Sequence, residues 1–347
     1  MLPRMSTWVS RPAVLAAIGA TIAAAAAVVI VTANGSAHPP TATDGATAPT
    51  VGLPVVNGSA GASAGASPSA TPSASPSAKP TPTVAKTTRP ATSRRTGVGV
   101  PAGLTLKRHN GNLAITKDGT VVDGLDIYGF VSVRASNVTI RNSRVRGTDP
   151  GTTNSALISA YGDHRNLLIE DTTLRADHPS PYLNGLQGRN FTARRLDISQ
   201  VVDTAMIFGD NATIEDSWLH GNTHFDPDPN QPDGKSHDDN IQIEGGTNIL
   251  IRNNTIEGSF NAAIMVTQNY ARSSNIRISG NRISGGGCSI NLSEKGKGPI
   301  TGMTIENNVF GPSRVDNCAV IAPPTSTPTM RANTYRDGTT VKVRKGI

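Results

Sequence analysis

Asn248-Ile-Leu-Ile-Arg-Asn-Asn-Thr-Ile-Glu-Gly258 sets the measure for most of this 347-residue chain. Counting from its first Asn, apolar Ile251 lies three places on, small polar Asn254 six places on and apolar Ile256 eight places on. The same spacing runs from Asn137 (Ile140, Ser143, Val145), Asn166 (Ile169, Thr172, Leu174) and Asn211 (Ile214, Ser217, Leu219). It returns from Asn275 (Ile278, Asn281, Ile283) and Gly302 (Ile305, Asn308, Phe310), and more loosely from Asn190 and before Tyr335. Intervals of 21 to 37 residues mark stacked repeats, each too small to bury its own apolar face. Between these motifs lie second apolar runs such as Ala205-Met-Ile-Phe, Ile241-Gln-Ile and Ala262-Ala-Ile-Met-Val. They are too short for helices and are bounded by Gly and Asn. Short strands stacked at about 4.8 Å bury Ile, Val and Leu in one continuous interior. Asn suits the turns because it tolerates left-handed backbone and its amide can pair with the coil above and below.

This grammar, over residues 99 to 347, resembles the right-handed parallel β-helix superfamily that includes pectate lyases and polygalacturonases. The resemblance implies an all-β, right-handed parallel β-helix solenoid, and about eight coils predict a rod of roughly 35 to 40 Å. Residues 97 to 123, with turn signals at Asn110-Gly111 and Asp118-Gly119, are expected to form an atypical unit that shields the first coil.

Composition divides the chain into residues 1–33, 34–96 and 97–347. Arg4 and Arg11 precede an apolar run from Ala13 to Val31, which reads either as a transmembrane anchor or as a cleaved signal, with small-residue cleavage sites at Val31-Thr32-Ala33 and Gly35-Ser36-Ala37. On either reading the remainder is extracellular, secreted or tethered to the outer face of the membrane. Residues 34–96 are almost wholly Ala, Ser, Thr, Pro and Gly, a disordered spacer with nothing to offset ordering entropy. Residues 1 to 98 hold seven Lys and Arg against one Asp, so the net charge of +7 leaves about +1 for the repeats. A nucleic-acid-binding fold is excluded on that ground. Cys288 and Cys318 open equivalent strands in successive coils and, in an exported chain, are expected to be bonded.

Chemistry concentrates in the longest repeat. Thirty-seven residues separate Asn211 from Asn248, and the excess, from Gly221 to Asn240, carries His224, Asp226, Asp228, Asp233, Lys235, His237, Asp238 and Asp239. Long insertions in solenoids form functional faces. With Ile241 and Ile243 inward, alternation turns Asn240, Gln242 and Glu244 outward beside Met265 and Asn291, as a polar strip suited to a sugar chain. Aligning Asp203-Thr-Ala with Asp239-Asn-Ile sets two carboxylates one coil apart, able to raise one another's pKa or share a cation. The candidate catalytic group is therefore His237, Asp238, Asp239 and Asp203. Gln242, Lys235, Asn240, Met265 and Asn291 are the candidate substrate contacts. Capping of turns is the alternative role for Asp203 and Asp239. Calcium is the cation such carboxylates would hold, and Asp226-x-Asp228-x-Asn230 opens like a calcium loop but has Gln231 where Gly is needed.

The resemblance further implies, for lyases, a Lys or Arg base with acid-bound calcium, for which Lys235, Lys295 and Arg189 are the positions to consider. For hydrolases it implies an Asp doublet with downstream Gly-His-Gly and Arg-Ile-Lys, of which only Asp238-Asp239 matches. The expected function is action on a polysaccharide or cell-wall glycan as a lyase or hydrolase, by a monomer. The alternative is a non-catalytic glycan-binding or structural surface protein, whose mark would be outward aromatics; Trp218, Tyr182 and Phe225 are the residues to watch. An ice-binding surface would need a regular Thr array, and Thr204, Asn240, Ala263 and Ser289 do not make one.

Overall fold

The computed structural model describes residues 97–346. The expected apolar helix and linker lie outside these residues. At Asn248 the backbone turns with φ 59°, then Ile251 and Ile256 point into the interior from two successive strands with Asn254 buried at the corner between them. The spacing read from the sequence is thus one turn, one strand, a second turn and the next strand. A third strand closes each coil. Coil 1 is Lys107–Asn110 in sheet A, Leu113–Ile115 in sheet B and Val121–Asp123 in sheet C. Coil 2 stacks on it as Leu125–Tyr128, Val131–Val133 and Thr139–Arg141, all parallel. No helix occurs among the described residues.

Register carries the core. Along sheet C, Val122, Ile140, Ile169, Ala193, Ile214, Ile251, Ile278 and Ile305 sit directly over one another, and all are buried. Each coil therefore buries its apolar residues only because the next coil supplies the facing layer. Sheet A has ten strands, so the described residues form nine closed coils and two sides of a tenth, rather than eight. The spacing missed both ends because coil 1 turns at Gly119 (φ 73°) where coils 2 to 7 use Asn and carries Leu125 at the small polar place, and the last side pair lacks a third strand. Residues 107–123 are likewise a regular coil in register with coil 2, not an atypical unit; only 97–106 stand apart.

Two amide ladders, rather than one, line the turns. Outside, Asn275 donates to Asn248, Asn248 to Asn211 and Asn211 to Asn190 at 2.6, 3.2 and 3.1 Å. Inside, Asn254, Asn281, Asn308 and Asn333 are buried and linked by Nδ2-to-Oδ1 bonds of 3.1, 2.9 and 2.9 Å. Asn142, Asn253 and Asn307 occupy the adjacent left-handed positions, φ 49°, 56° and 54°. At this inner corner left-handed backbone and stacking are divided between neighbouring residues, whereas in the outer ladder Asn190, Asn211, Asn248 and Asn275, at φ 53°, 58°, 59° and 49°, combine the two as expected.

Cys288 and Cys318 are bonded, with Cα atoms 4.7 Å apart, as stacked positions in coils 8 and 9 require. The chain enters the described region against sheet A at coils 4 and 5, where Gly99 N–H donates to Arg195 O at 2.8 Å and Val100 N–H to Thr173 Oγ1 at 3.1 Å. A Cβ at Gly99 would meet Thr173 Oγ1 at 2.5 Å and Asp197 Cβ at 2.8 Å, with φ at 68°. Only glycine fits that approach.

Candidate functional site

The outer face of sheet B carries the expected strip. Gln187, Met206, Gln242, Met265 and Asn291 follow one another in register across coils 4 to 8. All are half-buried. Asn240 departs from the expectation: it is fully buried, its amide donating to Asn222 Oδ1 at 2.5 Å, Glu257 O at 3.1 Å and Leu219 O at 3.3 Å. The reason is the insertion, whose first residues fold over the strand starts. Asn222 donates to Val202 O and Asp239 O at 2.7 and 2.8 Å, and Thr204, Ala263 and Ser289 are buried along with Asn240.

Asp203 and Asp239 stack one coil apart as expected, but they point inward. Residues 239, 241 and 243 share one parity, so the alternation that buries Ile241 and Ile243 also buries Asp239. Asp203 Oδ1 accepts the Asp239 N–H at 2.8 Å, just as Asn184 Oδ1 in the coil before accepts the Asp203 N–H at 3.0 Å. Asp239 Oδ1 accepts from Asn261 Nδ2 at 2.9 Å, and its Oδ2 has no partner. Burial pushes the Asp203 carboxyl up to about 8 against the Asp239 N–H bond that lowers it, with Asp238 and Glu244 adding to the rise. Asp239 is also raised, by burial first and then by the Asp203 charge. Geometrically these two are backbone caps in the core.

His237 and Asp238 separate. His237 is exposed on the insertion with Nε2 2.8 Å from Asp233 Oδ2. Asp238 is buried and takes its imidazole from His224 instead, Nδ1 to Oδ1 at 2.7 Å, while its Oδ2 accepts the Phe260 N–H at 2.7 Å. Burial raises the Asp238 carboxyl, opposed by those two bonds. The His224 ring lies 4.1 Å from the Phe260 ring, and the Arg314 guanidinium lies 3.6 Å over Phe260. Lys235 is exposed and paired with Asp226 at 3.1 Å. In the calcium-like segment, Asp228 is turned to donors: Oδ1 accepts Asn230 N–H at 2.8 Å and Oδ2 the Ser236 hydroxyl at 2.5 Å. Oxygens so occupied do not form a calcium cradle, and among the described residues no three His, Cys, Asp or Glu side chains gather into a metal site.

The sequence reading missed a row of rings. Tyr161, Phe208 and Tyr270 lie in contact at the downstream end of the same face, with centroids 4.8 and 5.5 Å apart. Tyr161 and Tyr270 are 40% and 53% exposed. Phe208 pairs with Gly245 at an irregularity in the register, and the absent side chain there admits Ala271, whose backbone O and N would lie 2.7 and 2.8 Å from a Cβ at Gly245. Beneath them Glu244 is 4% exposed, with Oε2 unpartnered. Burial raises its carboxyl while Asn269 and Lys295 lower it; burial also raises the Tyr161 and Tyr270 hydroxyls, with Glu244 adding to both. By contrast Trp218 is buried in sheet A, stacked 3.5 Å from the His220 ring and donating to Glu257 at 2.8 Å. Tyr182 and Phe225 are half-buried. Phe208 and Glu244 were visible as outward positions, but no sequence signal joins residues 161, 208 and 270.

A family model described as the right handed beta helix region matches residues 128–318 and again 205–347. The chain belongs to that family. The two overlapping matches reflect the repeats themselves, since a β-helix aligns with its own model in more than one register. No curated protein and no solved structure matches this β-helix.

Proposed function

We propose that this is an exported β-helix protein that binds a polysaccharide along the outer face of sheet B, as a monomer. The observation that carries the reading is the row Tyr161–Phe208–Tyr270 beside the polar strip. Rings offer flat apolar faces for sugar rings, and Gln and Asn offer paired donors and acceptors for hydroxyls. Export is supported by the apolar run behind Arg4 and Arg11 and by the disulfide, which belongs in an oxidising compartment. Of the catalytic candidates, Asp203 and Asp239 are occupied as caps, and this moves the balance from cleavage toward binding.

One observation favours cleavage as a second reading. The buried Asp238 holds the His224 imidazole by Nδ1, which leaves Nε2 as the atom able to take a proton from a substrate. The test is affinity electrophoresis of the purified protein through a panel of polysaccharides, with unsaturated products and new reducing ends followed in parallel. Binding without products, lost by at least tenfold in Phe208→Ala/Tyr270→Ala, is the expected result. Products that vanish in His224→Gln would establish the second reading. No retardation by any polysaccharide would remove the first.

A further inference from the structure

Resting on the glycan reading, we propose that the sheet B face selects an uncharged glycan, with Glu244 and Thr267 as a hydroxyl seat beneath the stacking rings of Tyr161 and Tyr270. The charge pattern argues for it first. From Gln187 through Met206, Gln242 and Met265 to Asn291 the strip bears no charge over five coils. Arg189 at its edge is already neutralised by Asp163 at 2.5 Å. A polyuronate brings one carboxylate per sugar and would need a matching file of cations. Here it would meet the Glu244 carboxyl, with Lys295 the one cation acting on it. Like charges in a partly desolvated groove oppose binding rather than steer it. The chain's basic excess does not alter this, since it lies in residues 1 to 98.

Unpartnered polar atoms argue for it independently. Glu244 Oε2, Thr267 Oγ1 and Asn291 Oδ1 are buried without a hydrogen-bond partner, and Glu244 and Thr267 are 4% and 2% exposed. Native proteins rarely leave such atoms unpaired; Glu244 Oε2 and Asn291 Oδ1 call for donors, and the Thr267 hydroxyl can accept or donate, a pairing that sugar hydroxyls satisfy in both directions. Ile243 pairs with Val266 and Thr267 with Ser293, so Glu244, Thr267 and Ser293 succeed one another along the face. Sugar hydroxyls arriving beside the rings supply the donors that the protein does not, and a carboxylate sugar supplies fewer of them along with an opposing charge.

The experiment is affinity electrophoresis of the full chain through neutral β-glucan, neutral α-glucan and N-acetylglucosamine oligomers against polygalacturonate and alginate, repeated from roughly 0.05 to 0.5 M salt. Retardation by a neutral glycan, unchanged by salt, is expected. Glu244→Gln should hold that binding within about threefold, because an amide oxygen still accepts, whereas Glu244→Leu should weaken it at least tenfold at an unchanged melting midpoint. Retardation by polygalacturonate or alginate that fades with salt would overturn the selectivity and leave the glycan reading standing. Retardation by none would overturn both. A Glu244→Leu protein that binds neutral glycan like the parent would remove the seat.

Discussion

Two buried polar columns run along this β-helix, and they are built from different chemistry. At the corner between sheets C and A, Asn254, Asn281, Asn308 and Asn333 each donate to a backbone carbonyl and, except the last, to the next amide oxygen. An amide both gives and accepts, so the column closes on itself in every coil. At the corner between sheets A and B, Asn184, Asp203 and Asp239 cap the N–H of successive coils. An ionised carboxylate only accepts, so stacking two of them leaves Asp239 Oδ2 without a donor and drives both toward protonation. A stacked, buried corner is comfortable for an amide and costly for a carboxylate.

The largest effect should come from breaking the amide column. Asn281→Ala removes four hydrogen bonds at once and strands buried groups of Asn254 and Ile251. We expect a loss of about 3 kcal/mol or more in denaturant unfolding. Next is pH. Burial raises both carboxyls above their ordinary value of 3.8, Asp203 to about 8 and Asp239 in the same direction, so the folded state holds its protons more tightly than the unfolded chain. The stability contribution is therefore complete below about pH 4 and is lost as pH rises through about 8. Thermal melts between these limits should show a midpoint that declines with pH and levels off above.

Converting the second column into the first sharpens the contrast. Asp239→Asn removes the buried carboxyl that opposes Asp203 and should stabilise the protein by about 1 to 2 kcal/mol at pH 8, flattening the pH profile. A variant less stable than the parent at pH 8 would show that the carboxylate is bound to something the amide cannot serve. The smallest effect belongs to the insertion surface: His237→Ala should leave both the melting midpoint and glycan retardation unchanged. A loss of binding there would return His237 to the site.

How much of this the sequence disclosed follows from what each feature depends on. The solenoid was legible because Ile140, Ile169, Ile214, Ile251 and Ile278 recur at one place in a motif, and stacking demands such recurrence. The disulfide was legible for the same reason. The direction of Asp239 was also legible, since it shares parity with Ile241 and Ile243, and that parity favours the capping alternative over a catalytic place. His224 stood in the insertion without any mark to prefer it over His237, because the choice depends on how Phe260 and the strand start hold Asp238. The aromatic row was not legible. Tyr161, Phe208 and Tyr270 come from coils 3, 5 and 7 at strand ends where no repeat position constrains them, and they meet only in the folded stack.

The seating of Gly99 and Val100 against coils 4 and 5 has a mechanical meaning. Tension applied to the chain ahead of residue 97 reaches the rod at its flank, across the stacking direction, before it reaches the first coil. Two hydrogen bonds and a glycine fitted against Thr173 and Asp197 must give way before a pull can begin to unwind Lys107–Asn110 from its neighbour. The short segment thus serves as a strain relief, like the clamp that keeps a cable from being drawn out of its plug. The load is taken in the middle of the solenoid, where every strand is paired on both sides, and the singly paired end strand is spared.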